Sequence, residues 1–127
     1  MDNWRKRPVK SDTVEFDTCF PREKIEKIQD KALESHKYIK MMAREEIEML
    51  RWVECMSEEE IQEGEKVGAG HGMYRFPDIC KINPHMSSQG ILLNYIHENV
   101  HHVLPDASEN LVDHLTDLIS YQMELKR

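Results

Sequence analysis

Ile91-Leu92-Leu93-Asn94-Tyr95-Ile96-His97-Glu98-Asn99-Val100-His101-His102-Val103-Leu104 contains neither Gly nor Pro. At ~100° per residue, Leu92, Leu93, Ile96, Val100, Val103 and Leu104 gather on one side, so the stretch reads as an amphipathic helix over roughly 89–104. Ser87 or Ser88 can cap its start and Pro105 stops it. His97 and His101 fall together at the margin of the apolar face. Glu98 lies further round, and His102 points away from the core.

The four-residue step from His97 to His101 spells H-E-x-x-H. Two imidazoles one helical turn apart can reach a single metal ion. The Glu beside the first His then lies near the open coordination position, where it can take a proton from water. Two histidines do not complete a zinc site, so a third ligand is expected downstream among Glu109, Asp113, His114 and Asp117. Asp106 with Glu109 forms a capping-box pattern opening a last helix over roughly 107–125, with Leu111, Val112, Leu115, Leu118 and Ile119 on one side. On that helix Asp113 and Asp117 fall opposite the apolar centre and are expected to face water. The short turn from Leu104 to Ser108 folds the first helical turn back over the histidines, which selects Glu109 as third ligand, with His114 second. The competing role of Glu109 is the N3 position of the cap, and a helix start favours a carboxylate in any case.

Upstream, Val14, Phe16, Thr18 and Phe20 alternate with polar residues and predict a short strand near 13–20. Pro21 suits a helix start. Ile25, Ile28, Ala32, Ile39, Met42, Ala43, Leu50 and Val53 then fit one face of a single helix from Arg22 to about Met56, roughly 50 Å long at ~1.5 Å per residue, with a break expected near Ser35-His36. Ser57 with Glu60 is a second capping box, opening a short helix over 58–66. Gly64, Gly68, Gly70 and Gly72 read as a mobile connector. They lack the Gly-Lys-Ser/Thr ending of a phosphate loop. Tyr74 to Ile82 reads as one short strand, which Pro77 pushes to a sheet edge. The expected class is therefore mostly α with a small β element. It is one domain over 1–127, comprising a loose basic arm (1–12), a strand plus long helical region (13–66) and a metal-binding part (73–125).

The 127 residues carry 17 Lys and Arg against 24 Asp and Glu, a formal charge of −7. That argues against a general nucleic-acid binder. No apolar run approaches the ~20 residues of a membrane span, and the first residues carry no apolar segment of the secretory type. Residues 44–65 set Arg44 and Arg51 against nine glutamates and account for the whole net charge. A solvated helix face or a docking patch for a basic partner both fit. Cys19, Cys55 and Cys80 show no C-x-x-C spacing, so free thiols in a reducing, cytoplasmic setting are the expectation. Cys80 and His85 could join the two histidines in a closed structural zinc site, although Cys80 also reads as a buried strand residue. Tyr95 and His102 are accessory candidates for orienting a substrate, whereas His71 reads either as a hydrogen-bonding group for a transition state or as a solvated residue. His36 reads as a helix-surface residue.

From about 73 to 123 the chain resembles the minimal zincin metallopeptidases, the gluzincin-like kind found as short phage and bacterial proteins. The matching pieces are Leu92 to His101 and Ser108-Glu109-Asn110-Leu111-Val112. The resemblance implies an edge strand before the active-site helix and a backing helix after it. It also implies zinc on His97, His101 and Glu109, with Glu98 as general base. The expected function is a small zinc-dependent metallopeptidase acting on a peptide or protein. The rival is a non-catalytic interaction module, such as a phage-encoded binder of a host factor, that uses the acidic region and keeps the metal only as a brace.

Overall fold

The computed structural model describes residues 13–68, 70, 72–75 and 79–125. Their elements are β1 (Glu15–Phe16), α1 (Arg22–Glu26), α2 (Gln29–Lys40), β2 (Trp52–Cys55), α3 (Glu58–Lys66), β3 (Gly72–Arg75), β4 (Ile79–Ile82), α4 (Ser88–Val103) and α5 (Glu109–Gln122). Helix outweighs strand, and the fold is mostly α with one small sheet. The strand order is β1-β2-β4-β3, with β1, β2 and β4 parallel and β3 antiparallel to β4. Parallel neighbours need a crossover. Helices α1 and α2 supply it between β1 and β2, and α3 with β3 supplies it between β2 and β4. Helix α4 lies against β3 and β4, and α2 and α5 pack on α4. One hydrophobic cluster joins residues from Val14 to Met123. The expected basic arm, residues 1–12, lies outside the described residues.

The single helix expected from Arg22 to Met56 is replaced by two shorter ones and a strand. The chain breaks after α1 at Ile28, whose φ of −123° is not helical and whose side chain is buried. Ser35 and His36, the expected break, sit buried inside α2. Beyond Lys40 the backbone leaves the helix although Met, Ala, Arg and Glu all favour one. Leu50, Val53 and Met56 recur every third residue, which imitates a helical face. Instead, β2 runs between β1 and β4, and Val53 is fully buried there. Ladders on both sides of β2, together with core burial, outweigh intrinsic propensity.

Strand β4 is also not where the sequence placed it. Residues 74–82 form parts of two strands of a hairpin, and β4 is hydrogen-bonded on both sides. Among the described residues, β3 is the edge strand on that side. Pro77 lies outside the described residues. Of the glycine stretch, Gly64 lies in α3 and Gly72 opens β3. Gly68 turns the chain at φ +76°, which glycine adopts without strain. Gly70 is buried against α3, and its carbonyl accepts a hydrogen bond from Asn83 Nδ2 at 3.0 Å.

The cysteines are not all free. Cys19, just beyond β1, is disulfide-bonded to Cys55 at the end of β2, with Cα atoms 6.4 Å apart. Parallel alignment of β1 with β2 creates this proximity, which residue spacing does not reveal. Cys80 alone remains a thiol, fully buried in β4. No helix of the described residues is long and apolar enough to cross a membrane.

A buried polar chain fastens α4 to the rest. Tyr95 Oη donates to the Leu50 carbonyl at 2.6 Å and accepts from His36 Nε2 at 2.6 Å. Asn99 Oδ1 accepts from the Leu50 amide at 2.8 Å. His36 is thus a core residue rather than a surface one. Burial, with the charges of Arg51 and Lys40, pulls its pKa from 6.5 to about 4. The unfolded chain therefore binds this proton more readily than the folded one between those values. The associated stability is full above pH 6.5 and is lost as pH falls through 4, about 2–3 kcal/mol in all. His36→Gln can still donate to Tyr95 but does not titrate. Urea unfolding at pH 6.5 and pH 4 is expected to show a smaller acid loss in the variant by about 2 kcal/mol. Equal losses in both proteins would refute the assignment.

Candidate metal centre

Helix α4 is capped by Ser87, whose Oγ accepts from the Gly90 amide at 3.1 Å. Its inner face buries Ile91, Leu92, Tyr95, Ile96, Asn99, Val100 and Val103. That packing leaves His97 and His101 on the margin, with side chains 20% and 23% exposed. Their ring centroids are 4.8 Å apart. Helix α5 is capped by Ser108, which accepts from the Leu111 amide at 3.1 Å. The expected Asp106 cap is therefore displaced by two residues. Glu109 becomes the first helical residue, not the N3 partner of a box, and its carboxylate is released to turn toward α4.

Glu109 Oε1 lies 3.0 Å from His97 Nε2 and 3.2 Å from His101 Nε2. One donor atom from each of the three residues falls within 4.8 Å of the others. Zn–N and Zn–O bonds of about 2.0–2.1 Å in a tetrahedron place ligand atoms roughly 3.4 Å apart. The two histidine–carboxylate separations, 3.0 and 3.2 Å, are close to that spacing. Glu109 is the most exposed of the three, so the trio opens to solvent on one side. Three protein ligands of mixed N and O type with an open face are the pattern of catalytic rather than structural zinc sites.

Asp113, expected to face water, has its Oδ1 3.3 Å from His97 Nδ1. It sits four residues after Glu109, which puts both carboxylates on one face of α5. That spacing was the available signal for it. At this ion-pair distance the Asp113 carboxylate favours a proton on Nδ1, which would leave Nε2 to act as ligand. If the trio holds a divalent ion, Asp113→Asn is expected to weaken its binding by about 10–100-fold, measured by competition with a chromophoric chelator. Unchanged affinity would deny Asp113 this role.

Burial, and then the neighbouring His101 charge, lowers the His97 pKa, while Glu109 and Asp113 act in the opposite direction. A neutral ring is the form that binds metal. Glu98 is only 4% exposed. Desolvation, helped by the Glu109 charge, raises its pKa to about 8.

The remaining candidates are placed elsewhere. Tyr95 is fully buried and aims its hydroxyl into the core. His102 bonds the Glu48 carbonyl at 2.8 Å and so holds the segment before β2. His114 is exposed on α5 and does not join the trio. Cys80 is sealed in the sheet and His85 pairs with Glu58 at 2.8 Å, so neither joins the two histidines in a closed site. His71 lies outside the described residues. Compared with family profiles, curated proteins and solved structures, the chain matches none of them.

Proposed function

We propose that this chain is a small zinc-dependent peptidase. The observation that carries the reading is the convergence of His97 Nε2, His101 Nε2 and Glu109 Oε1 at hydrogen-bond distance, on the helix that also carries the buried carboxyl of Glu98. A divalent cation held there supplies Lewis acidity and an acidified water at neutral pH. Zinc suits two imidazoles and a carboxylate, although ligand type alone does not select it over neighbouring metals. His97, His101 and Glu109 hold the ion, and Asp113 fixes the His97 ring. The positive charge of a bound cation would favour the ionised form of Glu98, which burial and Glu109 otherwise disfavour, and the carboxylate would then take a proton from water and pass it to the leaving amine. Among the described residues β3 is the edge strand, and it would offer backbone groups to an extended peptide.

The rival reading, a non-catalytic interaction protein, is favoured by apolar side chains left exposed on α5, namely Leu111, Leu118 and Tyr121. The acidic region 44–65 supports it less than its charge suggests. In the structure that region is spread over a loop, β2 and α3 rather than one helix face. Glu60 is paired with Lys81, Glu48 with Arg51 and Glu58 with His85. A basic partner would meet the remaining glutamates.

The test is elemental analysis of protein purified without a His tag, followed by incubation with casein and a peptide library. One zinc per chain with cleavage supports the peptidase. One zinc without cleavage supports the interaction protein with a metal brace, and absence of metal overturns both zinc versions. A cytoplasmic setting remains part of the proposal, and the Cys19–Cys55 bond is the observation against it, because such bonds persist in oxidising compartments. Thiol counting on freshly lysed cells decides between the two.

A further inference from the structure

Strand β3 starts at Gly72, paired in register with Ile82 of β4. A Cβ at this position would meet Glu98 Oε2 at 3.0 Å, Asn94 Oδ1 at 3.3 Å and the Lys81 carbonyl at 3.4 Å. Gly72 does not have the positive φ of Gly68, so its backbone suits any residue and the glycine serves close approach rather than conformation. Asn94 and Glu98 are four apart on α4 and so face the same strand. Asn94 Nδ2 is held by the Gly90 carbonyl at 2.9 Å and by Met86 Sδ at 3.6 Å, which turns Oδ1 toward Gly72. Glu98 is buried and has no solvent side to retreat into. A side chain at position 72 would have to displace the carboxylate or lift the edge strand.

We propose that Gly72 is a positioning residue for Glu98: its missing side chain lets β3 close over the carboxylate and fix it on the helix that carries His97 and His101. The catalytic consequence rests on the reading of Glu98 as the general base, whereas the contact itself does not.

The experiment is Gly72→Ala made in the wild-type and in the Glu98→Ala background. In the wild-type background the extra methyl is expected to lower Tm by roughly 5–10 °C. With the Glu98 side chain trimmed, the same change is expected to cost less than half as much, because the blocking oxygen is gone. In the zinc-loaded protein Gly72→Ala is expected to lower kcat on labelled casein by about 10–100-fold. KM and zinc content are expected to stay within twofold. If Gly72→Ala alone does not fold, recovery of folding in the double variant supports the proposal. Equal Tm losses in both backgrounds, or failure of both to fold, would place the conflict at the Lys81 carbonyl and overturn it. An inactive wild-type protein would sink the peptidase reading while the Tm comparison still decides the contact. A kcat unchanged in an active protein would remove the positioning role.

Discussion

Glu98→Gln is expected to leave zinc bound at one ion per chain and to lower peptide hydrolysis by about 10²–10⁴-fold, the range for loss of a positioned general base. The substitution is nearly isosteric, and the site it enters is buried, so packing is conserved. In the metal-free protein the Glu98 carboxyl has its pKa raised to about 8 by desolvation and the Glu109 charge. At pH 7 the group is then mainly the neutral acid, which an amide replaces without removing a stabilising charge. Thermal stability of the apo variant is therefore expected to match the wild type closely, which separates a chemical defect from a folding defect. The contrasting variant is His97→Ala, which removes a ligand and is expected to lose metal and hydrolysis together. Zinc measured by elemental analysis and initial rates on casein give both readouts. A Glu98→Gln protein that turned over at the wild-type rate would end the general-base mechanism.

The parts of this site that sequence could reveal were those fixed by local rules. Helix α4 followed from an apolar face repeating every three or four residues, and the His97–His101 pairing followed from one turn of that helix. Glu109 followed from the short turn, even though the cap proved to be Ser108 rather than Asp106. Asp113 shares the face of Glu109 by simple four-residue spacing. It does face water, as its distance from the apolar centre suggested, and an exposed carboxylate can still reach a margin histidine. Distant pairings left no such trace. Leu50, Val53 and Met56 fit a helix by spacing, and only the neighbouring strands make β2 the better solution. His36 has no sequence feature announcing that Tyr95, 59 residues away, lies within hydrogen-bond reach. The approach of Gly72 to Glu98 is likewise a property of two elements meeting, and a glycine-rich stretch reads the same whether loose or tightly seated.

Breaking the Cys19–Cys55 bond is expected to cost about 4 kcal/mol, from the entropy of closing a loop of this length. The bond spans a sequence separation of 36 residues and encloses α1 and α2. It reinforces a weak seam, because β1 contributes only two residues to the sheet, paired with Trp52 and Val53. What otherwise holds this segment is the burial of Val14 and Phe20, the edge contact of Phe16 with Phe20 at 5.5 Å, and a hydrogen bond from Gln29 to the Val14 carbonyl. For a chain of this size the loss corresponds to a fall in Tm of roughly 15 °C. Cys19→Ser is the cleaner variant, since Cys19 is exposed whereas Cys55 lies within a strand. Cys19→Ser, Cys55→Ser, the double variant and reduced wild type are all expected to melt together, well below the oxidised protein. Thiol titration in denaturant is expected to find one reactive thiol before reduction, that of Cys80, and three after it. Helices α4 and α5 lie outside the closed loop, so reduced protein that remains folded is expected to bind zinc as the oxidised form does. Three thiols in protein never exposed to reductant, or coincident melting of wild type and Cys19→Ser under oxidising conditions, would show that the two sulfurs are neighbours without a bond.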